Sequence, residues 1–275
     1  MIKRTRSALS RIPEYAPTRI TKSLKGTIVH DLYDVIDQDL PEMEQRELSL
    51  VDVELPDGAK REMYFVDPSY QLNEQRKQKY YEPILTEELF DQFSSDSVFY
   101  DIGSYFGYYS QLASYSGVPA ENIFAFEADS TRYEFLEEVH GNDGVRTVNA
   151  FVGNETSSNG IRLDNFVSTN PHPSIIKIDV EGGEFDVLQG MRDTIGSARP
   201  ILYIELHPQV YSNFGVSVDD IITLLHENDY QIWMANHRDG STWEEASLEA
   251  LPKYNPETED TNTPENTYLI KADTQ

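Results

Sequence analysis

Short apolar segments that alternate with helical patterns, from residue 97 onward, constrain the fold more than any other feature of this sequence. Each segment has the length of a buried strand, and turn residues separate it from its neighbours. Strands are predicted at 97–102, 122–126, 145–151, 174–180, 200–206, 230–235 and 267–270. Helices are predicted at 108–116, 131–140, 184–191 and 218–227. This alternation predicts an α/β fold with a doubly wound, mostly parallel sheet.

The residues ahead of this alternation predict an accessory region. Residues 47–55 alternate between apolar and polar side chains with one slip, Asp57-Gly58 is a turn signal, and residues 61–66 form the return strand of a hairpin. Apolar residues at near-helical spacing predict a helix over 80–93. We therefore divide the chain into a basic tail at 1–25, an accessory region with the hairpin at 26–79 and a main domain at 80–275.

Acidic residues dominate the composition, with 48 Asp and Glu against 22 Lys and Arg and a net charge of -26. Such a field repels the phosphates of nucleic acids, so we expect no nucleic acid among the partners. Dense carboxylates in a chain without cysteine suggest a halophilic protein of a salt-rich cytoplasm, and an acidic protein of ordinary salt is the alternative. The absence of cysteine excludes disulfides, thiolate metal sites and cysteine nucleophiles.

Two observations bear on membranes. No stretch approaches the roughly 18 apolar residues of a membrane-spanning helix, so we expect no membrane span and a cytoplasmic location. Residues 1–25 hold seven basic residues, a single acid and no apolar core of a signal peptide. This segment is consistent with a solvated tail or with an electrostatic contact to a membrane surface, and the sequence leaves the oligomeric state open.

A glycine turn over residues 101–107, Asp-Ile-Gly-Ser-Tyr-Phe-Gly, follows the first strand of the main domain. In open α/β sheets, ligands bind beyond the carboxyl ends of the strands, where this turn lies. Gly103 and Gly107 permit a tight turn and the close approach of a ligand to the backbone. The turn lacks the third glycine of dinucleotide-binding folds and the lysine of a P-loop, which favours a cofactor without phosphate. An ordinary strand-to-helix turn is the structural alternative.

Glu127 ends the second strand of the main domain. A carboxylate at this position can accept hydrogen bonds from both hydroxyls of a ribose, although it could also be a charge beside the N-terminus of the next helix. The third strand ends near residues 149–153, where an adenine ring would lie if the ribose is at Glu127. We therefore include Ala128 and Ala150 among the expected cofactor-binding residues.

Charged residues crowd the ends of the fourth and fifth strands. Lys177, Asp179, Glu181 and Glu184 follow one another within eight residues, and carboxylates this close require a cation or a proton between them. Asp179 and Glu184 could instead cap and begin the next helix. The fifth strand ends with Glu205 and His207, which share a side of the strand by its two-residue period.

Four segments resemble the FkbM-type methyltransferases, which are S-adenosylmethionine-dependent enzymes with a Rossmann-like fold. They are VFYDIGSYFGYYS at 98–110, FAFEAD at 124–129, SIIKIDVEGGEFDVLQGM at 174–191 and ILYIELHP at 201–208. The resemblance covers about residues 80–235 and implies a class I methyltransferase sheet of seven strands, with the last strand inserted antiparallel. The family turn usually reads D-x-G-A-N, so Ser104 and Tyr105 depart from it.

The resemblance implies roles for the residues at the sheet edge. Asp101, Gly103 and Gly107, with Ser104, would surround the methionine part of S-adenosylmethionine, and Glu127 would hold its ribose. Members of the family methylate hydroxyl oxygens of sugars or secondary metabolites. An alcohol requires a base to remove its proton, and the candidates are Asp179 and His207, with Glu181 third.

Three alternatives stay open at this point. Mg²⁺ could assist the reaction through Asp179, Glu181 and Glu205, since carboxylates are ligands of hard cations. A nicotinamide oxidoreductase is disfavoured by the missing glycines. A methyltransferase-like binding module without catalysis is left open by Tyr105. For the acceptor we expect a sugar or glycan hydroxyl, because an acidic pocket suits a neutral polyol better than a phosphate.

Overall fold

Twelve strands and eight α-helices build the part of the chain that the structure describes. The structure is a computed structural model that describes residues 47–66, 81–236, 242–246 and 268–274, and the basic segment 1–25 lies outside these ranges. The strands are β1 (Leu48–Glu54), β2 (Lys60–Val66), β3 (Phe99–Ile102), β4 (Ile123–Glu127), β5 (Arg146–Asn149), β6 (Phe151–Gly153), β7 (Gly160–Arg162), β8 (Ile175–Ile178), β9 (Ile201–Leu206), β10 (Gln231–Asn236), β11 (Glu244–Glu245) and β12 (Tyr268–Asp273). The helices are α1 (Pro83–Gln92), α2 (Tyr108–Tyr115), α3 (Ser130–His140), α4 (Leu163–Val167), α5 (Glu184–Gly190), α6 (Arg192–Ala198), α7 (Pro208–Phe214) and α8 (Val218–Glu227), with a 3₁₀ turn at Ala120–Asn122.

The main sheet has the strand order β11-β10-β12-β9-β8-β3-β4-β5. Strands β5, β4, β3, β8 and β9 are parallel. The last strand, β12, is inserted between β9 and β10 and is antiparallel to both. The predicted α/β sheet with its last strand inserted antiparallel is therefore confirmed, and the two-residue β11 adds an eighth strand at one edge.

Alternation along the central strands divides the apolar side chains between two cores, one on each face of the sheet. Tyr100, Ile102 and Ile176 belong to the core that includes residues of α5 and α8. Phe99, Ile123 and Ile175 belong to the core that includes residues of α1, α2 and the hairpin. Asp101 and Lys177 share the second face because they stand two residues after Phe99 and Ile175, and their strands pair in register.

The predicted hairpin is confirmed, since β1 and β2 pair antiparallel from Leu48↔Val66 to Glu54↔Lys60. Met63 and Phe65 are fully buried in the core shared with α2. The backbone N–H of Tyr64 donates to Gln111 Oε1 at 2.8 Å, and Gln111 Nε2 donates back to the Tyr64 carbonyl at 3.1 Å. The accessory hairpin thus packs directly on the first helix that follows the glycine turn.

The helix predicted at 131–140 begins one residue earlier, at Ser130, and its cap was assigned wrongly. The spacing of Thr131 and Glu134 predicts a capping box, but the cap is Asp129, whose carboxylate accepts from the backbone N–H of Arg132 at 2.7 Å. Asp129 therefore caps α3 two residues after the end of β4.

The strand predicted over 145–151 divides into β5 and β6, which belong to different sheets. The backbone N–H of Ala150 donates to the Glu127 carbonyl, and beyond it the chain leaves the edge of the main sheet to pair with β7. The sequence patterns did not predict β7, β11, α4, α6 or α7, all of which are short. None of the helices in the described ranges has the length and apolar character needed to cross a membrane.

Candidate active site

A cleft of about 220 Å³ opens at the carboxyl ends of β3, β4, β8 and β9, where the sheet topology predicts a ligand site. Residues of the glycine turn and of the loops after β4 and β8 contribute to its walls. The described lining residues are Tyr81, Glu82, Ile102, Gly103, Tyr105, Phe126, Glu127, Ala128, Arg132, Ala150, Phe151, Val152, Asp179, Val180, Glu181 and Glu205. Its lining combines apolar side chains with carboxylates, which suits a ligand that has both a ring and polar groups.

The glycine turn is held tightly against the neighbouring strands. Gly103 has φ +81°, and a Cβ on it would lie 1.7 Å from the carbonyl oxygen of Asp179, so no other residue fits this position without moving the backbone. The backbone N–H groups of Gly103 and Ser104 both donate to the Phe126 carbonyl. Ser104 Oγ donates to the Asp101 carbonyl at 2.6 Å, which turns the hydroxyl away from the cleft.

Two backbone N–H groups hold the carboxylate of Glu127, which lines the cleft. Its Oε2 accepts from the backbone N–H of Tyr105 at 2.9 Å, and its Oε1 accepts from the backbone N–H of Asp129 at 2.9 Å. Burial raises the pKa of Glu127, while these two N–H groups and the charge of Arg132 oppose the rise. Each carboxylate oxygen has a second lone pair, so the group can still accept two hydroxyls from a diol such as ribose.

Tyr105 occupies a backbone conformation that few residues of its kind adopt. Its φ is +53°, in the left-handed region that Asn tolerates better than a bulky residue. The Tyr105 ring packs edge-on against Phe106, and the guanidinium of Arg132 lies 5.5 Å from the ring centre. The side chain therefore supports the wall of the cleft beside Glu127.

A buried lysine ties the ends of β3 and β8 together. Lys177 Nζ donates to the Gly103 carbonyl and to Asp179 Oδ2, both at 3.2 Å, and lies 3.7 Å from Asp101 Oδ1. Burial alone would lower the pKa of Lys177, but Asp179 and Asp101 raise it above its usual value. Asp101 itself is fully buried, with Oδ2 accepting from Ser110 Oγ at 2.9 Å and no hydrogen bond to Oδ1. Asp101 is thus positioned beneath the turn and outside the lining of the cleft.

His207 stands among carboxylates at the end of β9. Its Nδ1 lies 2.7 Å from Glu184 Oε1, while its Nε2 lies 3.5 Å from Glu181 Oε2 and 3.9 Å from both Asp179 Oδ1 and Glu205 Oε1. Burial alone would lower the pKa of His207, but the charges and the hydrogen bond of these acids raise it well above 6.5. The surrounding acids thus favour the protonated form of the ring.

Glu184 orients this histidine from the first turn of α5. It is fully buried, and its Oε1 accepts from the Gly182 backbone N–H at 3.0 Å as well as contacting His207 Nδ1. Glu181, with φ +54°, and Gly182, with φ +109°, place two successive left-handed residues in the loop after β8. This loop aims Asp179 and Glu181 back toward the imidazole.

Three side chains at this end could hold a metal ion. Ligand atoms of Asp179, Glu205 and His207 lie within 4.8 Å of one another. This group differs from the predicted set of Asp179, Glu181 and Glu205 by the exchange of Glu181 for His207. Two carboxylates and an imidazole suit a hard or borderline divalent cation, so the donor chemistry fits such a cation.

The sequence predictions and the cleft agree for seven residues and diverge for four. Lining the cleft are Gly103, Glu127, Ala128, Ala150, Asp179, Glu181 and Glu205. Behind the lining are Asp101, Ser104, Gly107 and His207, with Gly107 packed so that a Cβ would lie 2.6 Å from His140 Nε2. The roles given to all eleven residues stay predictions.

The cleft also contains residues that the sequence patterns did not single out. Tyr81 and Glu82 lie just before α1, and Glu82 Oε2 accepts from Tyr109 OH at 2.5 Å. Burial and the charges of Glu82, Glu205 and Asp179 raise the pKa of Tyr81, which places this phenol beside the acids of β8 and β9. No motif marks these residues or Arg132 in the sequence, because their position follows from the packing of α1 and from the cap of α3.

The strand order, the inserted antiparallel strand and the cleft at the carboxyl ends define a class I methyltransferase fold. Residues 121–232 match the family model described as "Methyltransferase FkbM domain". These residues run from the strand of Glu127 to β10, and the match confirms over this range the resemblance that the sequence segments predict.

Three known proteins that are similar to this chain in sequence or structure are methyltransferases by name. The "Hexuronic acid methyltransferase AglP" of Haloferax volcanii is 26% identical over 167 residues, covering 50% of this chain and 65% of its own length. The methyltransferase FkbM of Methylobacillus flagellatus KT superposes with a TM-score of 0.45 at 18% identity, covering 65% of this chain and 44% of that one. A precorrin-6y C5,15-methyltransferase of Geobacter metallireducens superposes with a TM-score of 0.44 at 15% identity. The match covers 71% of this chain and 89% of that one.

Proposed function

We propose that this protein is an S-adenosylmethionine-dependent O-methyltransferase whose acceptor is a hydroxyl group of a sugar, a glycan or a secondary metabolite. The observation that supports this most is the arrangement of one cleft. Glu127, held by two backbone N–H groups, lies at one end, and Asp179, Glu181 and Glu205 lie at the other. The family match over residues 121–232 supports the same reaction class.

The residues of the donor end fit an adenosyl group. Glu127 would accept the two ribose hydroxyls, and Ala128, Ala150 and Val152 leave room for an adenine ring on an apolar surface. Gly103 lets the backbone approach the rest of the donor without a side chain between them. When bound, the donor supplies an electrophilic methyl group on a sulfonium.

At the acceptor end, Asp179 is the base that we favour. It is partly exposed to the cleft, with 26% of its side chain accessible, and its Oδ2 is already held by Lys177 at 3.2 Å. Asp179 would take the hydroxyl proton as the acceptor oxygen forms its bond to carbon and the carbon–sulfur bond breaks. The acids around His207 favour its protonated form, and it would act as a base only after losing that proton, so it is the second candidate, with Glu181 third.

A cation-assisted form of the reaction is a variant of this proposal. Asp179, Glu205 and His207 would hold the cation, which would lower the pKa of the acceptor hydroxyl. Activity that survives EDTA and is unchanged by added Mg²⁺ would reject this variant.

A second acceptor chemistry is favoured by the relative from Haloferax volcanii, which is named for hexuronic acid. A sugar acid has a carboxylate as well as hydroxyls, and a carboxylate oxygen attacks a methyl group without the help of a base. The product would be a methyl ester and not a methyl ether. Five of the described lining residues are acids and oppose an anionic acceptor, and for this reason the hydroxyl is our first choice.

The test is methyl transfer from labelled S-adenosylmethionine to paired neutral and acidic sugars, such as glucosides and glucuronosides, with and without EDTA. Mild alkali then separates the products, because it cleaves methyl esters and leaves methyl ethers intact. We expect alkali-stable label, and Asp179→Asn should reduce its formation on the order of 10²-fold or more. Glu138→Gln, an exposed acid on α3, is the matched control and should leave the rate unchanged.

Two results would contradict the proposal. Full transfer by both Asp179→Ala and His207→Ala would exclude the catalytic assignment. Binding of neither S-adenosylmethionine nor NADH by calorimetry would favour a binding module of the same fold, and binding of NADH alone would favour an oxidoreductase.

A further inference from the structure

The charges that line the cleft are strongly unequal. Five of the described lining residues are acids, namely Glu82, Glu127, Asp179, Glu181 and Glu205. Among the same described residues, the single cationic side chain is that of Arg132. An anionic group of a ligand therefore has one lining side chain in the described part of the cleft that can neutralise it.

Arg132 lies between the two halves of the site. It is in the first turn of α3, where its backbone N–H donates to Asp129 Oδ1 at 2.7 Å, and Asp129 in turn donates its own N–H to Glu127. Burial raises the pKa of Glu127 and of Glu181, and the charge of Arg132 opposes the rise at both residues. The guanidinium is thus close to the carboxylate of Glu127 and to the loop after β8, which carries Glu181.

The aromatic ring of Tyr105 lies beside this guanidinium. Its ring centre lies 5.5 Å from Arg132 Cζ, within the range of a cation–π contact. Tyr105 belongs to the glycine turn and stands at the position where the related turns usually have asparagine. A guanidinium carries five N–H donors in a planar fork, which matches the geometry of a carboxylate.

We propose that Arg132, stacked on Tyr105, binds the α-carboxylate of the donor's methionine portion. This inference rests on the proposed function. S-adenosylmethionine carries a sulfonium, an ammonium and one carboxylate, so the five acids suit its two cationic groups and oppose its single anion. A guanidinium and a carboxylate form a charge-assisted bidentate pair, which would offset that repulsion. The Tyr105 platform lies in the turn assigned to the methionine part, which favours the donor's carboxylate over that of an acidic acceptor.

The test compares S-adenosylmethionine with its decarboxylated form, which differs by the absence of that carboxylate. Affinities are measured by calorimetry, without an acceptor, for the wild type and for Arg132→Gln and Arg132→Lys. We expect the wild type to prefer S-adenosylmethionine by about 10- to 100-fold, the magnitude of a charged hydrogen-bonded pair. Arg132→Gln should weaken binding of S-adenosylmethionine by a similar factor and leave the decarboxylated form unchanged, and Arg132→Lys should be intermediate.

Arg146→Gln is the matched control. The guanidinium of Arg146 also lies over an aromatic ring, 5.1 Å from the centre of Phe124, but the residue is exposed on β5 and outside the lining of the cleft. This variant should bind both donors as the wild type does. Thermal unfolding of every variant shows whether the fold is retained.

Three outcomes would overturn the inference. An equal loss of affinity for both donors in Arg132→Gln would mean that the residue acts on the cleft in general. Unchanged affinity for both, in a wild type that binds them, would mean that Arg132 does not contact the donor. Unchanged donor affinity with a raised KM for a glucuronoside alone would assign the residue to the acceptor. A wild type that binds neither donor would contradict the proposed function as well.

Discussion

Gly103 and Asp179 meet where β3 and β8 end, so closely that a Cβ on Gly103 would lie 1.7 Å from the Asp179 carbonyl oxygen. The glycine of the turn proposed to hold the donor and Asp179, the base that we favour, are therefore parts of one packed unit. Lys177 joins them again, since its Nζ donates to the carbonyl of Gly103 and to the carboxylate of Asp179. A substitution in the turn should consequently alter the position of Asp179 at the acceptor end.

Gly103→Ala should reduce both stability and donor binding. The positive φ and the clash with the Asp179 carbonyl together should cost about 2–5 kcal/mol of the free energy of unfolding. Gly58→Ala is the matched control, because Gly58 has the same φ of +81° and open space around its would-be Cβ. It should cost about 1–2 kcal/mol and leave donor binding unchanged. Equal costs for the two variants, measured by urea unfolding, would contradict the close packing.

Lys177→Met should be strongly destabilising, because it leaves the fully buried Asp101 without its cation. Removing one partner of a buried ion pair costs about 3–5 kcal/mol. Adding Asp101→Asn should recover part of that loss, since an amide can keep a hydrogen bond with Ser110. Lys271→Met, at a more exposed pair with Glu88, should cost about 1 kcal/mol or less. This account would be contradicted if Lys177→Met left the free energy of unfolding unchanged, or if the double variant were no more stable than Lys177→Met alone.

His207 should make stability depend on pH. Its pKa in the folded protein is raised above the unfolded value of 6.5, since the acids outweigh the effect of burial. The stabilisation is thus fully present below about pH 6.5 and is lost as the pH rises through the folded pKa, at up to about 1.4 kcal/mol per pH unit.

Urea unfolding of His207→Gln between pH 6 and 9 measures this contribution. The difference in unfolding free energy between wild type and variant should shrink toward high pH. His226→Gln, at an exposed position of α8, is the control for replacing a histidine outside this acid cluster. A constant difference for His207→Gln would mean that folding does not raise the pKa of the imidazole.

The excess of acids should make the fold depend on salt. The chain has 48 acidic residues and a net charge of -26, so its surface charges repel one another. The Debye screening length is about 10 Å at 0.1 M salt and shortens to about 3 Å at 1 M, so this repulsion is weaker at high salt. The Tm should therefore fall when the salt concentration is lowered across that range. A Tm that is indifferent to salt would favour an acidic protein of ordinary salt over a halophilic one.

The sequence predicts those parts of the site that lie on strand ends and misses those that depend on packing. Glu127 and Asp179 could be found because each ends a strand, and parallel strands bring their carboxyl ends to one edge. Tyr81 and Glu82 could not, because no pattern states that the start of α1 lies beside β9. The protonation of His207 depends on acids from separate segments, so it follows from the folded arrangement and not from spacing.

The elements that sequence patterns missed have a common physical cause. β7, α4 and α7 are three to seven residues long, too short to show a hydrophobic period. The sequence predicts the third strand of the main domain as one element over 145–151, whereas in the structure the hydrogen bond from the Ala150 N–H to the Glu127 carbonyl lies where its pairing with β4 ends. Long, strongly periodic α8 has the predicted bounds, and its Ser217–Asp220 capping box fixes its start.

The structure of the protein with S-adenosylhomocysteine bound tests the central claim most directly. We predict that the two ribose hydroxyls lie within hydrogen-bond distance of the Glu127 carboxylate and that the sulfur faces Asp179. A ligand bound elsewhere, or a cleft that stays closed at saturating ligand, would contradict the assignment of this sheet edge as a methyl-donor site.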